Sequence, residues 1–226
     1  LEQPQIAKRA FILKSQQNTN MSVIGITGGI ASGKSTFCRM LAHRMDAEIF
    51  DADAEARMLL ERDLEVREVV IREISSAAYD ENGEPDRAEI RRVIFADPFA
   101  KTRLEEILHP RVRECWMALA AERREAGRQL LVDIPLLFEN HLESHFSLVI
   151  TVACSRETQI QRVVARGIES QVAEKILAAQ IPTLEKISRA NVVVWNDGCL
   201  EALEFQADEL VKRGQLDLHQ VVPPRL

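Results

Sequence analysis

Gly28, Gly33, Lys34 and Ser35 stand at the spacing G-x-x-x-x-G-K-[ST] inside "GITGGIASGKST" (residues 25–36). Residue types at these intervals do one kind of chemistry: they hold a polyphosphate. Glycines let the backbone turn tightly enough to bring successive main-chain N–H groups onto one phosphate, and the helix that must follow adds its positive end. Lys34 would reach the β- and γ-phosphates of ATP, and the Ser35 hydroxyl would ligate Mg2+. Gly29, Ile30, Ala31, Ser32 and Thr36 complete the expected cradle. Such a loop identifies a nucleotide and leaves the reaction open, because small-molecule kinases, GTPases and motor ATPases all use one.

The acceptor must therefore be sought elsewhere. "FDADAEAR" (residues 50–57) places Asp51 and Asp53 at the end of an apolar run, the edge at which open α/β sheets bind ligands. Asp53 is the candidate base for an acceptor hydroxyl, and Arg57, four residues on, shares its helical face and suits an acceptor phosphate. The competing reading is that Asp51 or Asp53 only caps the next helix. In "LLVDIPLLFE" (residues 130–139), Asp133 ends a second apolar run and suits the acidic group that helps hold magnesium opposite Ser35. Pro135, Leu136, Leu137 and Phe138 then extend the apolar run; they either line an acceptor pocket or pack beneath a loop.

These groups need a scaffold that delivers them to one edge. "SVIGIT" (22–27), "AEIFDAD" (47–53), "QLLVDIP" (129–135), "SLVITVA" (147–153) and "NVVVW" (191–195) are short, apolar and mostly β-branched, and helical stretches separate them. That alternation predicts an α/β fold: a five-stranded parallel sheet flanked by helices, the P-loop NTPase arrangement. The connection between the second and third strands is far longer than an ordinary βα loop. It is charged and helix-favouring, broken only near "DENGEPD" (80–86), and predicts an inserted helical subdomain over about residues 54–128. Residues 155–190 are rich in Arg and Lys with helical periodicity interrupted at Gly167 and Pro182, the pattern of a helical lid. Residues 21–226 thus read as a single domain, and residues 1–20 as a disordered or non-native leader with Met21 as the true start.

Composition narrows the class further. A net charge of −6 offers no general attraction to nucleic acid. No apolar run reaches the length of a membrane span. Cys38, Cys115, Cys154 and Cys199 are scattered without a C-x-x-C pair, which fits a reducing, cytoplasmic setting. No pattern in the chain speaks to oligomeric state.

"GITGGIASGKST", "DADAEAR", "LHPRV", "DIPLLFEN", "ILAAQIP" and "NDG" follow one another over residues 23–198 in the order seen in the dephospho-coenzyme A kinase family, which the chain resembles. The resemblance implies transfer of the ATP γ-phosphate to the ribose 3′-hydroxyl of dephospho-coenzyme A, with a helical acceptor domain and a mobile lid. It matches Asp53 to the family's base and puts Arg57 in the acceptor-side segment. His109 and Pro110 match an H-P element in which the histidine reads as a helix-terminal structural residue. Arg162 and Arg166, four apart on a lid helix, match lid arginines that neutralise charge on the transferring group, and Asn196 and Gly198 match an adenine-side turn. Asn191 and Lys175 depart from the family pattern, where acidic and arginine side chains are common. A nucleoside monophosphate kinase shares the loop and the arginine lid; a GTPase-like switch would need a guanine-reading N-K-x-D loop, which the chain lacks.

Overall fold

The computed structural model describes residues 23–215, so the expected leader lies outside the described residues. They form two compact units, one of residues 23–50 with 123–215 and one of residues 51–122.

The first unit holds a five-stranded sheet of β1 (Val23–Gly28), β2 (Glu48–Asp51), β3 (Leu130–Asp133), β4 (Leu148–Ala153) and β5 (Val192–Trp195). Its strand order is β2-β3-β1-β4-β5. β1 runs parallel to both β3 and β4, with Ile24 opposite Leu131 and Leu148, and β4 runs parallel to β5. Every residue of β1 and β3 is buried. Strands covered on both faces dispense with the polar alternation of a half-exposed sheet, which is why these segments read as continuous apolar runs. On one face α1 (Lys34–Met45) and α9 (Leu200–Gln215) seal the sheet through Phe37, Leu41, Leu203 and Ala207 against Ile26, Ile150 and Val194. Phe37 is wholly buried there, and cutting it to Ala would cost about 3–5 kcal/mol. Leu137 and Phe146 pack so closely over Gly25 that any side chain at that position would strike them.

The second unit is built from α2 (Ala52–Arg62), α3 (Leu64–Glu73), α4 (Arg87–Ala96) and α5 (Pro98–Glu125), the last of which continues into the first unit. Val66, Val70, Ile90, Leu104, Ile107 and Leu108 form its core. Three of these helices start on an aspartate cap. Asp51 accepts from the Ala54 N–H, Asp63 from that of Val66, and Asp86 from those of Ala88 and Glu89. The expected break at residues 80–86 is a tight turn in which the Asp80 carboxylate accepts from the N–H groups of Asn82 and Glu84.

Two expectations change here. The second strand ends at Asp51 rather than Asp53, because the Asp51 side chain captures the Ala54 amide and starts α2 at Ala52. His109 and Pro110 lie inside α5 and not at a helix end. The missing Pro110 amide removes one bond of the helical ladder, and burial of Ile107, Leu108 and Val112 on either side carries the helix through it.

Candidate active site

The loop between β1 and α1 is shaped by left-handed backbone at two points, Ala31 (φ 57°) and Gly33 (φ 91°). A side chain at Gly33 would run into the Asn196 amide, and one at Gly28 would come within 2.6 Å of Ser32 Oγ, so glycine is a steric requirement at both positions and, at Gly33 with its φ of 91°, a torsional one too. The start of α1 lacks both a side-chain cap and an acid, as does that of the helix over residues 170–178, but only α1 follows the glycine-rich loop. The cap of α1 is Gly33, which supplies no side-chain hydrogen bond, and no acidic residue occupies its first turn. By contrast, α2, α3 and α4 carry aspartate caps, and α6 (Arg156–Val164) is capped by Ser155. A helix that leaves its first amides without a side-chain partner offers them, with its positive end, to an anion.

The loop's carbonyls are turned outward and held there. Ser32 O accepts from Asn196 Nδ2 at 2.8 Å and from Arg162 Nη1 at 3.4 Å. Ala31 O accepts from Arg162 Nη1 at 3.3 Å, and Arg162 Nη2 also donates to Asn196 O at 2.9 Å. Arg162 therefore joins the loop to the turn after β5. The Ala31 and Ser32 carbonyls are thus engaged by Arg162 and Asn196, and the Ile30 and Ser32 amides by Gln180 and Gly29 O, so the first turn of α1 is what the loop presents to an anion.

Lys34, the first residue of α1, makes an ion pair with Asp133 at the end of β3, whose carboxylate is almost fully buried. The chain after β3 is fixed to β1 through Ile134 N–H donating to Ile26 O at 2.9 Å and Thr27 Oγ1 donating to Pro135 O at 3.0 Å. Of the apolar run that follows, Pro135 and Leu136 are half-buried and available at the surface of this loop, whereas Leu137 and Phe138 are wholly buried. Leu137 is thus a core residue beneath β1 and not the pocket wall expected for it, because it fills the space that Gly25 leaves open.

The turn after β5 is anchored by Asp197, whose carboxylate accepts from Ser155 N at 2.8 Å and Trp195 Nε1 at 3.0 Å. Burial pushes the Asp197 carboxyl upward, but the hydrogen bonds from Ser155, Thr158 and Trp195 outweigh it and hold the group below the usual range. Asn196 is buried and Gly198 exposed. Arg166 falls in the turn beyond the end of α6, so it does not share a helix with Arg162 as its spacing suggested; its amide closes the turn onto Val163 O at 3.1 Å. Asn191 accepts from the Val149 amide at 2.8 Å and ties the start of β5 to β4.

In the helical unit, Asp53 and Arg57 lie one turn apart on α2 and both are exposed, while His109 is half-buried on α5. The structure brings to the loop two bonded groups, the Lys34–Asp133 pair and Arg162 with Asn196 on Ser32 O. Two further residues bonded to the loop escaped the sequence reading: Gln159 donates to Ile30 O at 2.8 Å, and Gln180 accepts from Ile30 N at 3.1 Å. Only the place of Gln180 within "ILAAQIP" hinted at a role.

A sequence model of the family described as dephospho-CoA kinase matches residues 22–202, nearly the whole sheet-bearing unit and all of the helical one. The chain belongs to the dephospho-CoA kinase family. It is 40% identical over 193 residues to the dephospho-CoA kinase of Anaeromyxobacter dehalogenans (strain 2CP-C), covering 84% of this chain and 91% of that one. To the dephospho-CoA kinase of Geobacter sulfurreducens it is 38% identical, over 84% of this chain and 97% of the relative. Among solved structures, a protein from Thermus thermophilus superposes with a TM-score of 0.68 at 33% identity, covering 85% of this chain and 97% of that one. The dephospho-CoA kinase from Campylobacter jejuni shares the fold, with a TM-score of 0.61 at 22% identity over 85% and 97% of the two chains. Kinases of the dephospho-CoA kinase family are ATP-dependent, which accounts for a loop that offers main-chain amides and one lysine to a polyphosphate.

Proposed function

We propose that this chain transfers the γ-phosphate of ATP to the ribose 3′-hydroxyl of dephospho-coenzyme A, the last step of coenzyme A biosynthesis. The observation that carries the reading is the start of α1: an uncapped, acid-free helix end under a loop whose Ile30, Ala31 and Ser32 carbonyls are held by side chains, with Lys34 beside it. Phosphoryl transfer asks a protein mainly for alignment and charge neutralisation. In this reading residues 29–36 bind the phosphates, Asn196 and Gly198 face the adenine side, and Arg162 with Arg166 neutralises developing charge. Asp53 orients the acceptor hydroxyl and takes its proton, and Arg57, His109, Pro135 and Leu136 serve the acceptor.

The Ser35 hydroxyl and the Asp133 carboxylate are hard oxygen donors of the kind magnesium prefers. Among the described residues no cluster of three or more His, Cys, Asp or Glu side chains could cage a metal by itself. A Mg2+ ion held by Ser35 and Asp133 would take its remaining ligands from phosphate oxygens and water, and would supply electrostatic neutralisation of the phosphates. Lys34, held against Asp133, keeps that carboxylate oriented at the end of β3.

The reading treats residues 21–226 as one kinase domain with a helical acceptor-binding insertion and a lid over about residues 155–190. Four free thiols support a reducing, cytoplasmic location, and no described helix is long and apolar enough to cross a membrane. The deciding experiment offers dephospho-coenzyme A, AMP, CMP and dTMP in turn and follows ATP consumption, with the position of the new phosphate read by phosphorus NMR. Consumption with dephospho-coenzyme A and a ribose 3′-phosphate product is expected. A preference for any of the nucleoside monophosphates would overturn the assignment.

A further inference from the structure

Ile30 is the one phosphate-loop residue whose peptide groups are engaged at both ends by side-chain amides. Gln159, on α6 and only 4% exposed, donates from Nε2 to Ile30 O at 2.8 Å. Gln180 lies between α7 (Ser170–Ala178) and α8 (Thr183–Arg189), and its Oε1 accepts from Ile30 N at 3.1 Å. The partners fix which amide atom faces the loop, since a carbonyl only accepts and a peptide N–H only donates. Position 159 must therefore present a donor and position 180 an acceptor.

The grip falls where the loop needs it. The next residue, Ala31, sits in left-handed backbone at φ 57°, a conformation an alanine holds only when its surroundings impose it. Its own carbonyl and that of Ser32 are held by Arg162 and Asn196, so with Ile30 three successive carbonyls are tied outward. Gly29 has no side chain because the Gln159 amide already occupies that space. Without the pair, Ile30 could rotate and release Ala31 from the strained state, turning amides away from the phosphate position.

We propose that Gln159 and Gln180 are positioning residues for ATP binding, which grip the Ile30 peptide from two sides and hold the phosphate loop in its anion-binding shape. Because Gln180 belongs to the α7–α8 segment, the loop's shape depends on how that segment is seated. The inference rests on the reading of the site as a kinase phosphate loop. If the pair only selects a loop conformation, its loss lowers the competent fraction, and saturating ATP restores it. KM for ATP then rises while turnover at saturation and KM for dephospho-coenzyme A stay close to wild type.

The test uses four variants of the full chain, Gln159→Glu, Gln159→Leu, Gln180→Glu and Gln180→Met, with steady-state kinetics, direct titration with a fluorescent ATP analogue, and thermal melting. The two glutamate variants place the same charge and nearly the same volume beside the same loop residue, yet only the change at 159 removes a required donor. Gln159→Glu, Gln159→Leu and Gln180→Met are expected to raise KM for ATP by about 5-fold or more, the ratio that one net hydrogen bond is worth. Gln180→Glu adds the same charge beside the polyphosphate but keeps its acceptor, and is expected to raise KM for ATP about 5-fold less than Gln159→Glu does. Should Gln159→Glu fail to fold, Gln159→Leu carries the same expectation. Equal shifts from both glutamate variants, or lowered melting temperatures with KM for ATP unchanged, would overturn the proposal. A wild-type protein inert toward dephospho-coenzyme A would instead refute the kinase assignment, and the nucleotide titration would still decide the role of the pair.

Discussion

Replacing Gly33 with Ala tests whether the loop is shaped by the contacts described above. Two costs are expected. Alanine at φ 91° lies in the left-handed region, worth roughly 1–2 kcal/mol against a side chain. The added Cβ would also collide with Asn196 Nδ2 and lie 3.3 Å from Asn196 Cγ, so Asn196 must withdraw from its 2.8 Å bond to Ser32 O. Losing one net hydrogen bond adds about 1 kcal/mol, giving a total of about 2–3 kcal/mol, or roughly 30- to 150-fold. Gly127→Ala is the matching control. Gly127 has φ 65° and nothing within 4 Å of where a Cβ would stand, so it carries the torsional cost alone. Chemical denaturation and ATP titration of both variants separate the two contributions. Gly33→Ala should be the less stable and should bind ATP at least tenfold more weakly on the same scale, with Gly127→Ala binding ATP normally. If both variants lose the same stability and neither loses ATP affinity, Asn196 does not seat the loop and the carbonyl-out argument fails.

Asp53→Ala should lower turnover by about 10²-fold or more with KM for ATP little changed; turnover near wild type in a stopped assay would leave Asp53 as a bystander on α2. Lys34→Ala should lose about 10²-fold or more in turnover and also melt lower, since it removes the cation held against buried Asp133. Adding Asp133→Asn should restore the melting temperature and leave activity low, and a double variant no more stable than the single would refute the pairing. Burial pushes the Cys154 thiol up to about 11, so the folded protein keeps a proton that the unfolded chain releases in the ordinary thiol range. Its contribution to stability is intact below that range and is lost as pH rises to about 11, and Cys154→Ser should flatten this alkaline decline in a melting series. Asp197 behaves oppositely. Despite burial, its hydrogen bonds hold the carboxyl low, so its contribution is present above the usual carboxylate range and lost as pH falls through its lowered value. Asp197→Asn should shift the acid limb of the same series.

What the sequence discloses and what it hides divide along one physical line. The four buried strands β1, β3, β4 and β5 and the phosphate loop were legible because their determinants are local: continuous apolar, β-branched runs, and glycines where a side chain has no room. The boundary at Asp51 was less so, since two aspartates two residues apart compete for one cap and only the backbone decides that Asp51 wins. The H-P pair misled because proline is a local signal for a helix end, while the burial of Ile107, Leu108 and Val112 that overrides it is tertiary. Leu137 misled similarly: an apolar residue after a strand gives no sign of whether it faces a ligand or, as here, the gap over Gly25.

Gln159 and Gln180 mark the limit of local reading. They act on Ile30 across 129 and 150 residues of chain, through neutral amides whose type and spacing carry no periodic or charge signature. A phosphate loop cannot hold its own shape, because the left-handed Ala31 and the outward carbonyls are conformations that the loop's sequence only permits. Gln159 and Arg162 of α6, Gln180 beyond α7 and Asn196 after β5 each supply a hydrogen bond to it. The motif that announces the nucleotide is therefore necessary without being sufficient. Grafting residues 28–36 onto another strand–helix junction should yield weak ATP binding, and adding the four contacting side chains at matching positions should recover it.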